Sequence, residues 1–299
     1  MADQSFDPHR FFDAFPRFVD TSETGPWLHR LNARYVALIH SNRDLLAGAS
    51  VLDLASHDGR FSFAALASGA SRVVGIEHEP RLLSKSTENM ESYDVPRERY
   101  DFVQGDMFRA IDDVERCDIV FCFGIFYHIN DHMQLLSKIA AMQPRHLIID
   151  THISPLQGAV IELYSGLGVS PPPEGSHLEG RPSRQALDAM LSYFGWTSAY
   201  FDWRGSGLAD ANSVRDYYSG QRVTVVATCS EQVFAPDVLE NAVRAVFQHQ
   251  HECPSQWRAI RDIAPTFGMT PRALRFWVRE AEREQGRRPT HPRRAPSGP

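Results

Sequence analysis

Residues 51–59 read VLDLASHDG and run straight into RFSFAALAS at 60–68. Val51–Leu54 is a short apolar run with one acid in it, and the residues after it are small. The stretch from Phe61 to Ser68 then has helical spacing. A strand, a tight turn of small residues and the start of a helix form the crevice in which open α/β sheets hold nucleotides. About twenty residues past the turn a second apolar run, Arg72–Ile76, ends in Glu77. A carboxylate there can accept hydrogen bonds from both hydroxyls of a ribose.

The same alternation continues outward. Apolar or β-branched runs at Tyr100–Val103, Asp118–Phe123 and His146–Ile149 read as strands, and Phe61–Ser68, Pro80–Glu91 and Asp131–Met142 read as helices. Strands that alternate with helices pair in parallel in a doubly wound sheet. A helix at Ser183–Phe194 and two further strands, Thr197–Trp203 and Arg222–Thr228, follow. Before the sheet, Trp27, Leu28, Leu31, Tyr35, Leu38 and Ile39 share one helical face behind a break at Gly25-Pro26, and Phe6, Phe11, Phe12, Phe15 and Phe18 precede that helix. Residues 165–182, rich in Gly and Pro, read as a long connecting loop.

The turn positions narrow the nucleotide. A dinucleotide site wants glycines so that backbone can approach a pyrophosphate. Here those positions are Ala55, His57 and Gly59, and the His57 side chain would crowd a pyrophosphate. S-adenosylmethionine carries a ribose and an adenine but no phosphate. The third strand ends in Gln104-Gly105-Asp106-Met107, where a carboxylate suits an adenine amino group and a thioether suits its ring.

With VLDLASHDG, VVGIE, FVQGDM and CDIVFCFG in order, residues 50–230 resemble a class I S-adenosylmethionine-dependent methyltransferase. The resemblance implies an α/β, doubly wound, seven-stranded Rossmann-like sheet with helices on both faces, closed by an antiparallel hairpin near 197–229. It implies S-adenosyl-L-methionine as cofactor. Asp53, Ala55, Ser56 and Gly59 would line its methionine part, Glu77 the ribose, Asp106 and Met107 the adenine, and Phe123 and Gly124 the floor, with His57 and His78 beside them. The departure is Ala-Ser-His-Asp-Gly where the family usually has Gly-x-Gly-x-Gly.

Family members that methylate amino groups of bases carry an Asp/Asn-Pro-Pro-Tyr/Phe motif after the fourth strand. This chain reads Phe123-Gly124-Ile125-Phe126 there, which points away from base N-methylation and toward a small or lipid-like acceptor, with oxygen as the target. A hydroxyl acceptor needs a base. His128 is the first choice, with Tyr127, Asp150 and His152 as the other catalytic candidates at strand ends. Asp150, His152 and either His128 or His132 have donor types that could bind a divalent ion, but no metal is expected.

Composition sets the frame. The 299 residues are 42% hydrophobic and 23% charged, as in ordinary globular chains. The longest apolar run, Ile119–Tyr127, is too short for a membrane helix, and no signal peptide is read at the start. Four cysteines without a CxxC pair suit a reducing, cytoplasmic setting and argue against disulfides or a structural zinc. The net charge of −6 is uneven: residues 1–236 hold 20 basic and 30 acidic side chains, and residues 237–299 hold 11 and 7. An acidic body lacks the basic surface that a polyanion wants.

In the basic end, Ile260 and Ile263 lie on one helix that stops near Gly268. Thr270 and Pro271 open a second helix with an apolar stripe of Leu274, Trp277, Val278 and Ala281 and basic positions at Arg272, Arg275 and Arg279. From Phe234 onward the chain resembles the N-terminal, DNA-binding part of a small insertion-sequence transposase subunit, without the catalytic domain that transposition needs. The expected organisation is a helical cap over 1–48, a methyltransferase domain over 49–232, a helix-turn-helix-like appendage over 233–285 and a disordered basic tail over 286–299. Binding of DNA, if any, falls to residues 234–284. A DNA-binding regulator and a nucleic-acid-directed methyltransferase are the competing functions.

Overall fold

A computed structural model describes residues 7–22, 27–165, 178–208, 213–229, 236–269 and 271–285. Phe6, Gly25-Pro26, most of the 165–182 loop, Thr270 and the 286–299 tail lie outside the described residues. The chain divides into two compact units, residues 1–192 with 196–229, and 230–299 with 193–195.

The first unit is built on a seven-stranded sheet. Its strands are β1 (Ser50–Leu54), β2 (Arg72–Glu77), β3 (Tyr100–Gln104), β4 (Ile119–Phe123), β5 (His146–His152), β8 (Trp196–Tyr200) and β9 (Arg222–Cys229), with β6 (Ile161–Ser165) and β7 (Leu178–Pro182) forming a separate antiparallel pair. The order is β3-β2-β1-β4-β5-β9-β8. The first five run parallel, and β9 lies antiparallel to both β5 and β8. This is the doubly wound α/β sheet expected from the alternation. Strand order reverses between β1 and β4, so a crevice opens at their C-terminal ends.

Consecutive residues of a strand point to opposite faces. Every residue of β4 is buried, as are residues 51–54 of β1, so both faces of the sheet are covered. The helices of this unit are α1 (Arg17–Asp20), α2 (Leu28–Leu38), α3 (Arg43–Leu46), α4 (Arg60–Ala67), α5 (Pro80–Ser92), α6 (Met107–Ala110), α7 (His132–Ala141), α8 (Arg184–Tyr193) and α9 (Arg215–Tyr218).

The aromatic N-terminal segment is part of the core. Phe11, Phe12 and Phe18 are buried in one cluster with Tyr35, Phe61, Phe63 and β-strand residues. Phe11 stacks on Tyr35 with ring centres 3.9 Å apart, and Phe15 meets Phe63 at 4.6 Å. The α2 face holds Leu31, Tyr35 and Leu38 as read from the sequence, but Trp27 is 61% exposed. Trp27 precedes the first turn of α2 in extended backbone, which turns its ring out of the helical stripe.

The loop expected over 165–182 is structured at both ends. Ser165 pairs with Leu178 and Ile161 with Pro182 across β6 and β7. Ile161 and Leu163 are exposed, so this hairpin has no apolar stripe to betray it.

Among the described residues, the second unit contains the helices α10 (Pro236–His249), α11 (Gln256–Ile263) and α12 (Pro271–Glu284). Leu239, Ala242 and Val246 of α10 bury against Ala259 and Ile260 of α11 and Leu274 and Val278 of α12. Gly268 takes a φ of 68°, the left-handed stop at which glycine carries no Cβ penalty.

Candidate active site

The turn after β1 holds the candidate site. Ala55, His57 and Gly59 have φ values of 55°, 57° and 78°. These are the three positions where the sequence departs from, or keeps, the expected glycines. A left-handed backbone at a non-glycine residue is disfavoured by its Cβ, so surrounding contacts must hold it. They are visible. Ser56 donates its backbone N–H to the Ile76 carbonyl at 3.0 Å, and His57 donates its own to Glu77 Oε2 at 2.8 Å. Glu79 donates its backbone N–H to Glu77 Oε1 at 3.0 Å. Glu77 is therefore fixed by two backbone donors from opposite sides, with lone pairs left on each oxygen. At Gly59 a Cβ would come within 2.9 Å of Ser86 Cβ and 3.1 Å of the Phe102 ring, so glycine is required for space as well as for φ.

Beneath the turn, Asp53 is buried and accepts from the Ser62 hydroxyl at 2.6 Å. Burial pushes its carboxyl up to about 7; Ser62 offsets part of this, while nearby Glu77 and Asp58 add to it. Asp58 behaves oppositely. Burial would raise it, but the Arg60 guanidinium at 2.6 Å, together with His57, holds it at about 2. Thr21 donates its hydroxyl to Asp58 at 2.6 Å and Arg60 donates to Ser22 at 3.0 Å. Asn89 donates its amide to the Asp58 carbonyl at 3.0 Å and accepts from Arg17 at 3.1 Å. The N-terminal segment is thus clasped to the turn by polar contacts between residues far apart in the chain, which no local motif announces.

Ser56 is buried and its hydroxyl has no partner among the described residues. Asp106 is exposed and caps α6 through the Phe108 N–H at 2.9 Å. Met107 opens α6, and His78 is exposed beyond Glu77. Phe123 packs edge-on against Phe61 with centres 5.3 Å apart. Gly124, with a φ of 81°, donates its N–H to the Asp150 carbonyl at 2.8 Å. The strand ends thus gather Asp53, Ala55, Ser56, His57, Gly59, Glu77, Phe123 and Gly124 around the β1–β4 switch point.

The catalytic candidates separate into two kinds. The carboxylate of Asp150 is fully buried, bound by Arg222, by Tyr217 at 2.7 Å, by Thr224 at 3.1 Å and by Arg34 at 3.3 Å. Burial would raise it, but Arg222 and Arg34 hold it at about 2, so it is an ion-pair anchor and neither a base nor a metal ligand. Arg222 arrives from β9, whose register sets it opposite His152. His132 is also structural: buried, its Nε2 lies 2.9 Å from the Phe126 carbonyl and 3.0 Å from the Gly180 carbonyl, so that nitrogen carries the proton.

The second kind is accessible. Tyr127 lies against His128 with ring centres 4.1 Å apart and meets His152 edge-on at 4.8 Å. Burial, with the Arg222 charge beside it, lowers the His152 imidazole to about 4. His128 Nδ1 lies 2.7 Å from Glu179 Oε1 on β7. Glu179 was missed because it sits in the stretch read as loop. Near the C-terminal end of β5, where Ile153 donates to the Gln221 carbonyl, a cavity of about 550 Å³ is lined by Trp27, Arg30, Ser213, Arg215, Asp216, Ser219 and Gln221. Arg30 and Asp216 are paired across it at 2.7 Å.

Comparison with known proteins adds the following. Residues 51–143 match a family described as a methyltransferase domain. An uncharacterised 12 kDa protein of insertion element IS629 from Shigella flexneri is 49% identical over 53 residues, which are 18% of this chain and 49% of that protein. A Methanocaldococcus jannaschii protein described as a ribosomal RNA large subunit methyltransferase is 32% identical over 105 residues, 34% of this chain and 26% of that one. The chain spans about half the length of the first relative and about a quarter of the second. A solved S-adenosylmethionine dependent methyltransferase from Mesorhizobium loti superposes with a TM-score of 0.48 at 15% identity, covering 66% of this chain and 97% of that one.

Proposed function

We propose that the first unit is an S-adenosylmethionine-dependent methyltransferase acting on a hydroxyl of a small acceptor. The observation that carries it is the turn at Ala55–Gly59, left-handed at all three glycine-type positions and tied by the His57 N–H to the Glu77 carboxylate. The family match over residues 51–143 supports the same reading. The residues fit the nucleoside. Glu77 keeps lone pairs for ribose hydroxyls, and Ser56 keeps an unpartnered buried hydroxyl. Asp106 and Met107 follow β3, where the adenine would lie. When bound, S-adenosylmethionine supplies a methyl group activated by its sulfonium.

The chain's own residues do the rest. A nucleophile held in line, with water excluded, gains most of its rate from orientation. Glu179 holds Nδ1 of His128 and so orients the imidazole that takes the acceptor hydroxyl's proton. Tyr127 and His152 wall this region with aromatic surface. The cavity beside Arg30 and Asp216 has a volume in the range of small-molecule pockets.

The test is calorimetric titration of S-adenosylmethionine and its demethylated product into the full chain and into Glu77→Ala, followed by transfer of labelled methyl to pooled small phenols and alcohols, to RNA and to duplex DNA. Micromolar binding lost in Glu77→Ala, with label on small hydroxyls, supports the proposal. No binding to the folded chain overturns it. Label on RNA or DNA favours the nucleic-acid-directed alternative, and salt-sensitive DNA binding without transfer favours the regulator.

A further inference from the structure

One cysteine of this chain lies among other metal-ligating side chains, in the second unit and outside the site described above. His249 ends α10, Cys253 follows the short turn after it, and Asp262 stands on α11. His249 Nε2 lies 3.9 Å from Asp262 Oδ2, and Cys253 Sγ lies 4.0 Å from the same oxygen. One ligand atom from each of the three residues falls within 4.8 Å of the others. Bonds of about 2.0–2.3 Å to a tetrahedral zinc place its ligands roughly 3.3–3.7 Å apart, so the widest pair must draw together by about an ångström, a movement that side-chain rotation supplies.

The surroundings are those of ligands held in place. Glu252 Oε2 lies 3.1 Å from His249 Nδ1, which puts the proton on Nδ1 and turns the Nε2 lone pair toward Asp262. Arg258 donates to Asp262 at 3.0 Å and fixes that carboxylate. His249 and Cys253 are half-buried, so an ion can reach them.

We propose that His249, Cys253 and Asp262 bind one zinc ion, with water in the fourth position. A thiolate and an imidazole select zinc over magnesium or calcium, which take oxygen ligands. On binding, the Cys253 thiol loses its proton to solvent as the sulfur–zinc bond forms, and nothing is oxidised or reduced. The ion ties the end of α10 to α11 in a small helical unit, where a metal staple contributes most.

The test uses the full chain stripped with a chelator and titrated with cobalt(II), whose thiolate complex absorbs in the near ultraviolet. One equivalent gives the thiolate–cobalt band, and zinc then bleaches it. Cys253→Ser and His249→Gln abolish it, while Cys229→Ser, the other half-buried cysteine, keeps it. Glu252→Gln weakens binding on the order of tenfold, as loss of an orienting partner does. Circular dichroism reports that each variant is folded. No band in the wild type, or a band that survives in Cys253→Ser, overturns the proposal.

Discussion

The backbone N–H of His57 reaches the Glu77 carboxylate across 2.8 Å, tying the turn after the first strand to the end of the second. Glu79 supplies the second backbone donor to the same carboxylate. Removing the acceptor leaves two N–H groups with no other acceptor among the described residues. Glu77→Ala is expected to lower stability by about 2 kcal/mol, since hydrogen bonds to charged groups contribute more than neutral ones. It is also expected to weaken cofactor binding at least about tenfold. Urea unfolding and calorimetry measure the two effects separately, and Glu77→Gln should recover part of the stability without the full affinity.

The left-handed positions predict substitutions of opposite sign. Ala55 pays for its φ of 55° with Cβ strain, so Ala55→Gly is expected to stabilise by about 1 kcal/mol. Gly59→Ala is expected to destabilise by about 2 kcal/mol or more, because the new Cβ meets Ser86 and Phe102 as well as the φ penalty. Paired denaturation curves decide both.

The buried carboxyls split the pH dependence of stability into two windows. Asp58 and Asp150 are held at about 2 against an ordinary 3.8, so the stability they add is present above about 4 and is lost as pH falls to about 2. Asp53 is raised to about 7, so its contribution is fullest below 3.8 and is lost as pH rises through 7. Between these values the unfolded chain gives up a proton that the folded chain keeps, a slope of up to about 1.4 kcal/mol per pH unit. Asp53→Asn is expected to flatten unfolding free energy between pH 4 and 7 while leaving the acid limb in place.

Gly180 of β7 donates its N–H to the Ile129 carbonyl, and its own carbonyl lies 3.0 Å from His132 Nε2. A Cβ there would fall 2.7 Å from the His132 ring and 2.9 Å from that Ile129 carbonyl. Gly180→Ala is therefore expected to loosen the hairpin that carries Glu179 at a cost of about 1–3 kcal/mol. Hydrogen exchange should show faster opening of residues 178–182 while β1 and β4 stay protected.

The sheet was legible because its strands are covered on both faces: IVFCF and VLDL can be little else between turns. The Glu77 position was legible for the same reason, as the end of such a run. What escaped was set by chain-distant partners. Asp150 reads as an acid at a strand end, and only the antiparallel arrival of β9 brings Arg222 to neutralise it. The β6–β7 hairpin escaped because Ile161 and Leu163 face outward and the sequence between its strands is rich in Gly and Pro. With it went Glu179, and so the partner of His128. At the turn, the residue types suggested departure from the glycine pattern, yet the backbone angles of that pattern are kept by hydrogen bonds to β2.

The polar clasp from Arg17, Thr21 and Ser22 onto Asn89, Asp58 and Arg60 makes the N-terminal segment a sensor of the turn. Asp58 accepts from Thr21 and Arg60, and its carbonyl from Asn89, so a shift of Asp58 strains all three anchors, and residues 17–22 are expected to become easier to cleave. Limited digestion would then register the turn's occupancy as a change in nicking rate, without any acceptor in hand.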